Sequence, residues 1–197
     1  MAKRIFDIVV SLTALFLLTP LFLIVALWIR SDSEGPAFYS QMRVGKQGKP
    51  FRFWKFRSMD FDAEKYQSAL RKLNQMHGDI LFKLENDPRV TRVGSFLRKS
   101  SIDELPQLWN VLKGDMSLVG PRPPLPDEVA KYTPHQHQRL EVTPGITCIW
   151  QISGRSEIPF EQHVEMDLEY IANQSFWYDL NILYKTIYAV CKGTGAY

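Results

Sequence analysis

Residues 8–29 form a run of 22 residues without a charged side chain. Only Ser11, Thr13 and Thr19 are polar, and Pro20 stands inside the run. The hydrocarbon core of a bilayer needs about 20 such residues in helical form, so the segment reads as a membrane helix. A cleaved leader fits poorly: its apolar stretch is usually about 7–15 residues, and no A-x-A site follows here. Pro20 has no N–H and its ring meets the carbonyl of Phe16. That predicts a break at Thr19-Pro20, with the Thr19 hydroxyl close to the freed carbonyl. Both flanks are basic. Lys3 and Arg4 precede the run, and Arg30, Arg43, Lys46, Lys49, Arg52, Lys55 and Arg57 follow it. Basic flanks stay on the cytoplasmic side, which assigns both ends to one side. A helix broken in the middle that re-enters the cytoplasmic leaflet satisfies both facts. An ordinary kinked spanning helix fits the residues equally well, since spanning helices tolerate proline.

The remainder of the 197 residues suffices for one compact domain. With 45% apolar and 23% charged residues, disorder is excluded. Cys148 and Cys191 are far apart and lack CxxC spacing, which argues against a disulfide framework or zinc knuckle and for two reduced thiols. Residues 35–59 carry six basic side chains and no acidic one, interleaved with Phe38, Tyr39, Phe51, Phe53, Trp54 and Phe56. Anionic headgroups attract such a segment, and aromatic rings favour the same boundary. Residues 51–57 read as a strand with one cationic face. Basic-plus-aromatic sequence also suits nucleic acid, but the adjoining membrane segment sets that aside, and no nucleic-acid partner is expected. Residues 61–76 read as a structural amphipathic helix with Ala69, Leu70, Leu73 and Met76 on one side. Residues 142–155 read as a strand-like apolar run. Two helices follow, over 160–173 and 176–192. The second repeats Phe176, Leu180, Leu183, Ile187, Tyr188 and Cys191 near helical spacing, as a core helix or one lying in the membrane interface. His135 and His137 lack further ligands and read as solvated loop residues.

The chemistry concentrates between Asn86 and Pro124. Ser101 to Glu104 fits the S-x-x-E capping box, and Pro106 belongs in a first helical turn, so Asp103 and Glu104 sit at a helix N-terminus. The positive end of the helix dipole favours ionised carboxylates and nearby anions. An ionised Asp103 is a candidate nucleophile, and Glu104 beside it completes a candidate oxygen site for magnesium, which would neutralise a diphosphate and clamp its leaving group. Arg98 is a candidate phosphate contact. Arg122, held between prolines, is another, and guanidinium suits bidentate phosphate binding. Lys55 and Arg57 of the basic stretch join them as candidate phosphate or substrate contacts. An Asp-Glu pair at a helix start is, taken alone, more often a cap than a catalytic pair. Asp115 after Gly114 reads as a turn residue.

Taken in order, these segments resemble one family. Lys3-Arg4-Ile5-Phe6-Asp7, Gly35-Pro36-Ala37-Phe38-Tyr39, Arg43-Val44-Gly45, Lys55-Phe56-Arg57-Ser58-Met59, Asp103-Glu104-Leu105-Pro106-Gln107-Leu108, Lys113-Gly114-Asp115-Met116-Ser117, Gly120-Pro121-Arg122-Pro123, Pro144-Gly145-Ile146-Thr147, Trp150-Gln151, Ser153-Gly154-Arg155 and Gly195-Ala196-Tyr197 are similar to the monotopic phosphoglycosyl transferases, the bacterial sugar transferases. The resemblance implies an α+β fold. A re-entrant membrane helix over residues 1–30 would feed a cytoplasmic catalytic domain over 31–197, with amphipathic helices at the cytoplasmic face of the bacterial inner membrane. It implies that Asp103 attacks the β-phosphate of a UDP-sugar and releases UMP. Undecaprenyl phosphate would then take the sugar phosphate, with Glu104 and Mg2+ assisting and Arg98 on phosphate. Membrane lipids are implied partners, and a homodimer is compatible with the family. Cys148 stands where the family often has glycine. The sequence does not name the sugar.

Overall fold

The computed structural model describes residues 1–66, 70, 80, 84, 86–154 and 158–192. Helix α1 (Ala2–Asp32) spans the whole apolar run and leads into an antiparallel hairpin of β1 (Phe38–Val44) and β2 (Pro50–Phe56). Next come α2 (Arg92–Lys99), a 3-10 turn (Ile102–Glu104), α3 (Gln107–Lys113) and β3 (Ser117–Val119). Two one-turn helices, α4 (Pro126–Val129) and α5 (Pro134–His137), precede β4 (Gly145–Thr147), which runs parallel to β3. Then come α6 (Ile149–Ser153), α7 (Phe160–Asn173) and α8 (Phe176–Lys192). The fold is α+β.

α1 does not break where the sequence predicts. It is helical through Thr19 and Pro20. A proline removes one helical N–H, and the Thr19 hydroxyl donates to the Leu15 carbonyl at 2.8 Å beside it. The domain-facing stripe also keeps its period across the proline: Asp7, Ser11, Leu15, Leu18, Phe22, Val25 and Ile29 all turn inward. Phe6, Val10, Ala14, Leu15 and Leu18 pack on a core of Phe51, Phe53, Leu108, Val111, Met116, Leu118, Val119, Tyr170 and Ile182. Leu21, Phe22, Val25, Ala26 and Ile29 pack on Ala37, Phe56, Val93 and Leu97. The opposite face, with Val9, Leu12, Phe16, Leu17, Leu23, Ile24 and Leu27, is exposed. Among the described residues α1 is the one helix long and apolar enough to cross a membrane. An uncovered apolar strip of this length marks a membrane or protein interface.

Polar contacts lock both ends of α1 to the domain. Lys3 pairs with Asp179 and donates to the Val119 carbonyl. Arg4 donates to the carbonyls of Val111 and Leu112 at 2.6 and 2.9 Å, satisfying the free C-terminal end of α3. Buried Asp7 accepts from the Ser117 hydroxyl at 2.8 Å and the Leu118 amide at 3.2 Å. At the far end Asp32 accepts from the Val93 amide at 3.0 Å.

Three other sequence readings change. Among the described residues, 142–154 hold a three-residue strand before α6, because β4 extends just as far as its short partner β3. His135 and His137 lie on α5, a turn capped by Thr133, and His135 meets Glu165 at 2.8 Å. The cations of β2 are split: Arg52 stacks on Trp54, whereas Lys55 shares the side of Phe53, since alternate residues face opposite ways. The helix expected over 61–76 lies largely outside the described residues, as do Arg155 and the closing Gly195-Ala196-Tyr197. Its first part forms a 3-10 turn, Ala63–Tyr66. Helices α7 and α8 occupy the expected ranges, and both cysteines are free thiols.

Helix α2 packs tightly on the segment after β2. A Cβ at Gly94 would stand 2.0 Å from the Ser58 carbonyl oxygen. Overpacking of this kind costs about 1–3 kcal/mol or more. Gly94→Ala is therefore expected to lower the melting temperature by roughly 5 °C or more, read by thermal unfolding in detergent. An unchanged melting temperature would refute the close approach.

Candidate active site

The Asp-Glu pair is held by an unusual piece of backbone. α2 ends at Ser100, and Ser101 then adopts a left-handed conformation with φ 56°, which is uncommon outside glycine, asparagine and aspartate. The chain reverses into the 3-10 turn carrying Asp103 and Glu104, and Pro106 caps α3. The capping box read from the sequence does not form: Ser101 makes no side-chain cap, and Glu104 turns outward to Arg122, Nη1 to Oε1 2.9 Å. The pair still sits one turn ahead of a helix.

Four cations surround the two carboxylates. Lys55 reaches in from β2, its Nζ 4.0 Å from Asp103 Oδ2. Arg98, in the last turn of α2, is steadied by Nε donating to Ser58 Oγ at 3.0 Å and acts on Asp103 through its charge. Arg122 is set by the β3–β4 pair: Gly120 N–H donates to Thr147 O and Gly145 N–H to Pro121 O. Gly145 permits this, for a Cβ there would lie 2.1 Å from the Gly120 nitrogen. The fourth cation, Arg43 of β1, is one that sequence reasoning left among the surface bases. It donates to Pro123 O at 3.1 Å, and its charge is felt by Lys55. Arg43 and Lys55 flank one ring, Phe53, at 5.4 and 5.8 Å from its centroid. The signal that exposed Arg43 is its pairing opposite Phe51 in the hairpin, which the sequence does not announce.

Arg57, expected on phosphate, is used elsewhere. It is buried, and its guanidinium donates to Pro36 O at 2.7 Å, Ser33 Oγ at 2.8 Å and Ser33 O at 3.0 Å. It ties β2 to the turn after α1, because the carbonyls of that turn need donors. Asp115 joins Lys113 at 3.0 Å in the turn that follows α3.

Burial dominates the electrostatics. Asp103 is only 4% exposed. Desolvation pushes its carboxyl up to about 6; Lys55 opposes the rise, Glu104 adds to it, and Arg98 and Arg122 oppose it. Desolvation brings Lys55 down to about 8 against the pull of Asp103, and Arg43 down to about 10 with help from Arg122. Arg98 is also lowered by burial. Burial acts downward on Arg122 too, but Glu104 more than offsets it and its net shift is upward. With four cations against two carboxylates, the site is short of negative charge, as a site that takes up phosphate should be. Among the described residues no group of three or more His, Cys, Asp or Glu could hold a metal alone. Magnesium is commonly held through one or two carboxylates plus substrate phosphates, and Asp103 with Glu104 fits that arrangement.

Residues 1–193 match the family described as bacterial sugar transferase. Galactosyl transferase CpsE of Streptococcus agalactiae is 51% identical over 196 residues, covering 99% of this chain and 43% of its own length. Undecaprenyl-phosphate galactose phosphotransferase of Salmonella typhimurium is 44% identical over 199 residues, covering 99% and 41%. Exopolysaccharide production protein ExoY of Rhizobium meliloti is 42% identical over 203 residues, covering 100% and 88%. The chain thus spans about two fifths of the first two relatives and most of the third.

The raised Asp103 has a stability consequence with a definite sign. Its folded value lies above the ordinary 3.8, so the stability it contributes is present below that value and is lost as pH rises through about 6. Above that range the ionised carboxylate is a cost. Asp103→Asn should melt a few degrees higher than the parent at about pH 7.5 and lose that advantage near about pH 4. A variant that melts lower at neutral pH would contradict the burial argument.

Proposed function

Because the chain belongs to the bacterial sugar transferase family, we propose that it transfers a sugar-1-phosphate from a UDP-sugar to undecaprenyl phosphate, with Asp103 as nucleophile. The observation that carries this is a buried carboxylate beside Glu104, ringed by Lys55, Arg98, Arg122 and Arg43. It offers a nucleophile where phosphate charge is welcome. The name of the Salmonella relative, undecaprenyl-phosphate galactose phosphotransferase, supports the reaction class. So does that of UDP-glucose:undecaprenyl-phosphate glucose-1-phosphate transferase of Klebsiella pneumoniae, 39% identical.

An Asp103 oxygen attacks the β-phosphorus of the donor. The new bond joins that oxygen to phosphorus, and the bond to the bridging oxygen breaks, so that UMP leaves with the electron pair. An oxygen of undecaprenyl phosphate then attacks the same phosphorus. The bond to Asp103 breaks, the carboxylate is restored, and polyprenyl-diphospho-sugar departs. Lys55, Arg98 and Arg122 compensate the phosphoryl oxygens through both steps, and Arg43 holds the turn that carries Arg122 by donating to the Pro123 carbonyl. Asp103 and Glu104 would hold magnesium, which would neutralise charge on the departing UMP.

The two substrates differ in phase, one soluble and one lipid, and the exposed apolar face of α1 suits a domain resting on the bilayer. A 31-residue helix is about 46 Å long, and both its ends bind the same polar domain. A straight crossing would put those ends on opposite sides. This favours a helix that enters and leaves on the cytoplasmic face, as the basic flanks suggest. α8, with Trp177, Tyr184, Ile187 and Tyr188 exposed, would lie along the same interface.

The test is UMP release from a panel of UDP-sugars with magnesium, in native-lipid discs, with and without undecaprenyl phosphate. Lipid-dependent release with one preferred sugar is expected, and sustained release without lipid would overturn transfer in favour of hydrolysis. Asp103→Asn should lose turnover by at least about 1,000-fold with the fold retained. Parent activity should rise through about pH 6, as Asp103 ionises, and fall through about pH 8, as Lys55 loses its proton. A flat profile would remove Asp103 and Lys55 from these roles.

A further inference from the structure

Among the described residues the hairpin β1–β2 has two strands, and the outer edge of β2 has no neighbouring strand. An edge of that kind presents unpaired N–H and C=O groups, and here it lies against α3 in the interior. One side chain answers it. The carboxamide of Asn110 accepts from the Trp54 amide with Oδ1 at 3.1 Å and donates from Nδ2 to the Arg52 carbonyl at 2.7 Å. Residues 52 and 54 present their groups on the same edge, so one amide does there what a residue of a paired strand would do. Asn110 is fully buried, and its own carbonyl closes the end of α3 by accepting from Gly114 and Asp115. Its Nδ2 also lies 3.2 Å from Asp115 Oδ2.

The placement links the two halves of the site. Asn110 lies seven residues beyond Asp103 on the helical segment that carries the pair. The strand it grips carries Lys55 one residue beyond Trp54. We propose that Asn110 is a positioning residue: its two hydrogen bonds fix the register of β2 against α3 and thereby hold the Lys55 ammonium at its distance from Asp103. Hydrophobic contact between Phe53, Leu108 and Val111 brings strand and helix together but does not set the register along the strand. A directional pair of hydrogen bonds does. The inference rests on the transfer reaction proposed above, since it assigns Asn110 through Lys55 and Asp103.

Asn110→Ala and Asn110→Asp, which keeps shape but loses the donor to Arg52, are compared with Val111→Ala, an equally buried change on the same helix. Amide hydrogen exchange reads the clamp directly. Trp54 should exchange faster in Asn110→Ala and stay protected in Val111→Ala, while Asn110→Asp keeps an acceptor for the Trp54 amide and loses only the bond to the Arg52 carbonyl. Kinetics read the positioning. In the Asn110 variants kcat should fall by about 10-fold or more, with KM for the donor changed by less than about 2-fold. Combining Asn110→Ala with Lys55→Arg should cost less than the product of the single losses, because both act on one placement, whereas Val111→Ala with Lys55→Arg should multiply. An unaltered Trp54 amide in Asn110→Ala, fully multiplicative losses with Lys55→Arg, or an equal kcat loss in Val111→Ala would each overturn the assignment. A parent enzyme that releases no UMP from any donor would instead overturn the transfer reading, and this assignment with it. An active parent with multiplicative losses would overturn this assignment alone.

Discussion

One apolar helix is fastened at both ends to the domain it belongs to, and much of the architecture depends on that. Lys3, Arg4 and Asp7 at one end, and Asp32 with the Ser33 turn at the other, make contacts that need partners from α3, β3, α8, α2 and Arg57 just after β2. Between these fastenings the helix lays one stripe of side chains on two core clusters. The small domain therefore borrows apolar burial from a segment whose other face is itself apolar. Arg4 also closes the C-terminal end of α3, so the membrane segment and the helix behind the acidic pair are mechanically one object.

The site trades stability for reactivity. An aspartate this buried resists ionisation, and a lysine this buried gives up its proton more easily than usual. Each partly offsets the cost of the other across 4.0 Å. The left-handed Ser101 adds local strain directly before the pair. Such tension persists where surrounding structure over-determines it, and here Arg98 on Ser58, Asn110 on β2 and Arg122 on the β3–β4 pair form that frame.

Local signals read well from the sequence. Helices α7 and α8 follow from apolar spacing alone, and β2 from alternation, because each pattern needs only neighbours in the chain. The acidic pair and three of its cations, Lys55, Arg98 and Arg122, are legible in the helix-start signals, the Pro-Arg-Pro turn and the basic stretch, and the fold gathers them. What was not legible depends on distant partners. Arg57 and Lys55 are two residues apart in one basic stretch, and nothing local says that one closes a turn while the other faces Asp103. Arg43 joins the site only through the hairpin register. Asn110 reads as an ordinary helix residue until β2 arrives beside it. Pro20 argued correctly for a lost hydrogen bond, but the continuous packing stripe outweighed that single loss.

The contact between Lys3 and Asp179 closes a loop of 176 residues, and synthesis gives that span a direction in time. Chains emerge N-terminus first, at about 5–20 residues per second. The apolar helix and its charged head leave the ribosome long before α8 exists to receive Lys3, and before β3 can satisfy Asp7. For that interval its inward stripe and outward face are equally uncovered. A nascent chain in this condition needs an apolar cover from the start, of the kind a bilayer offers.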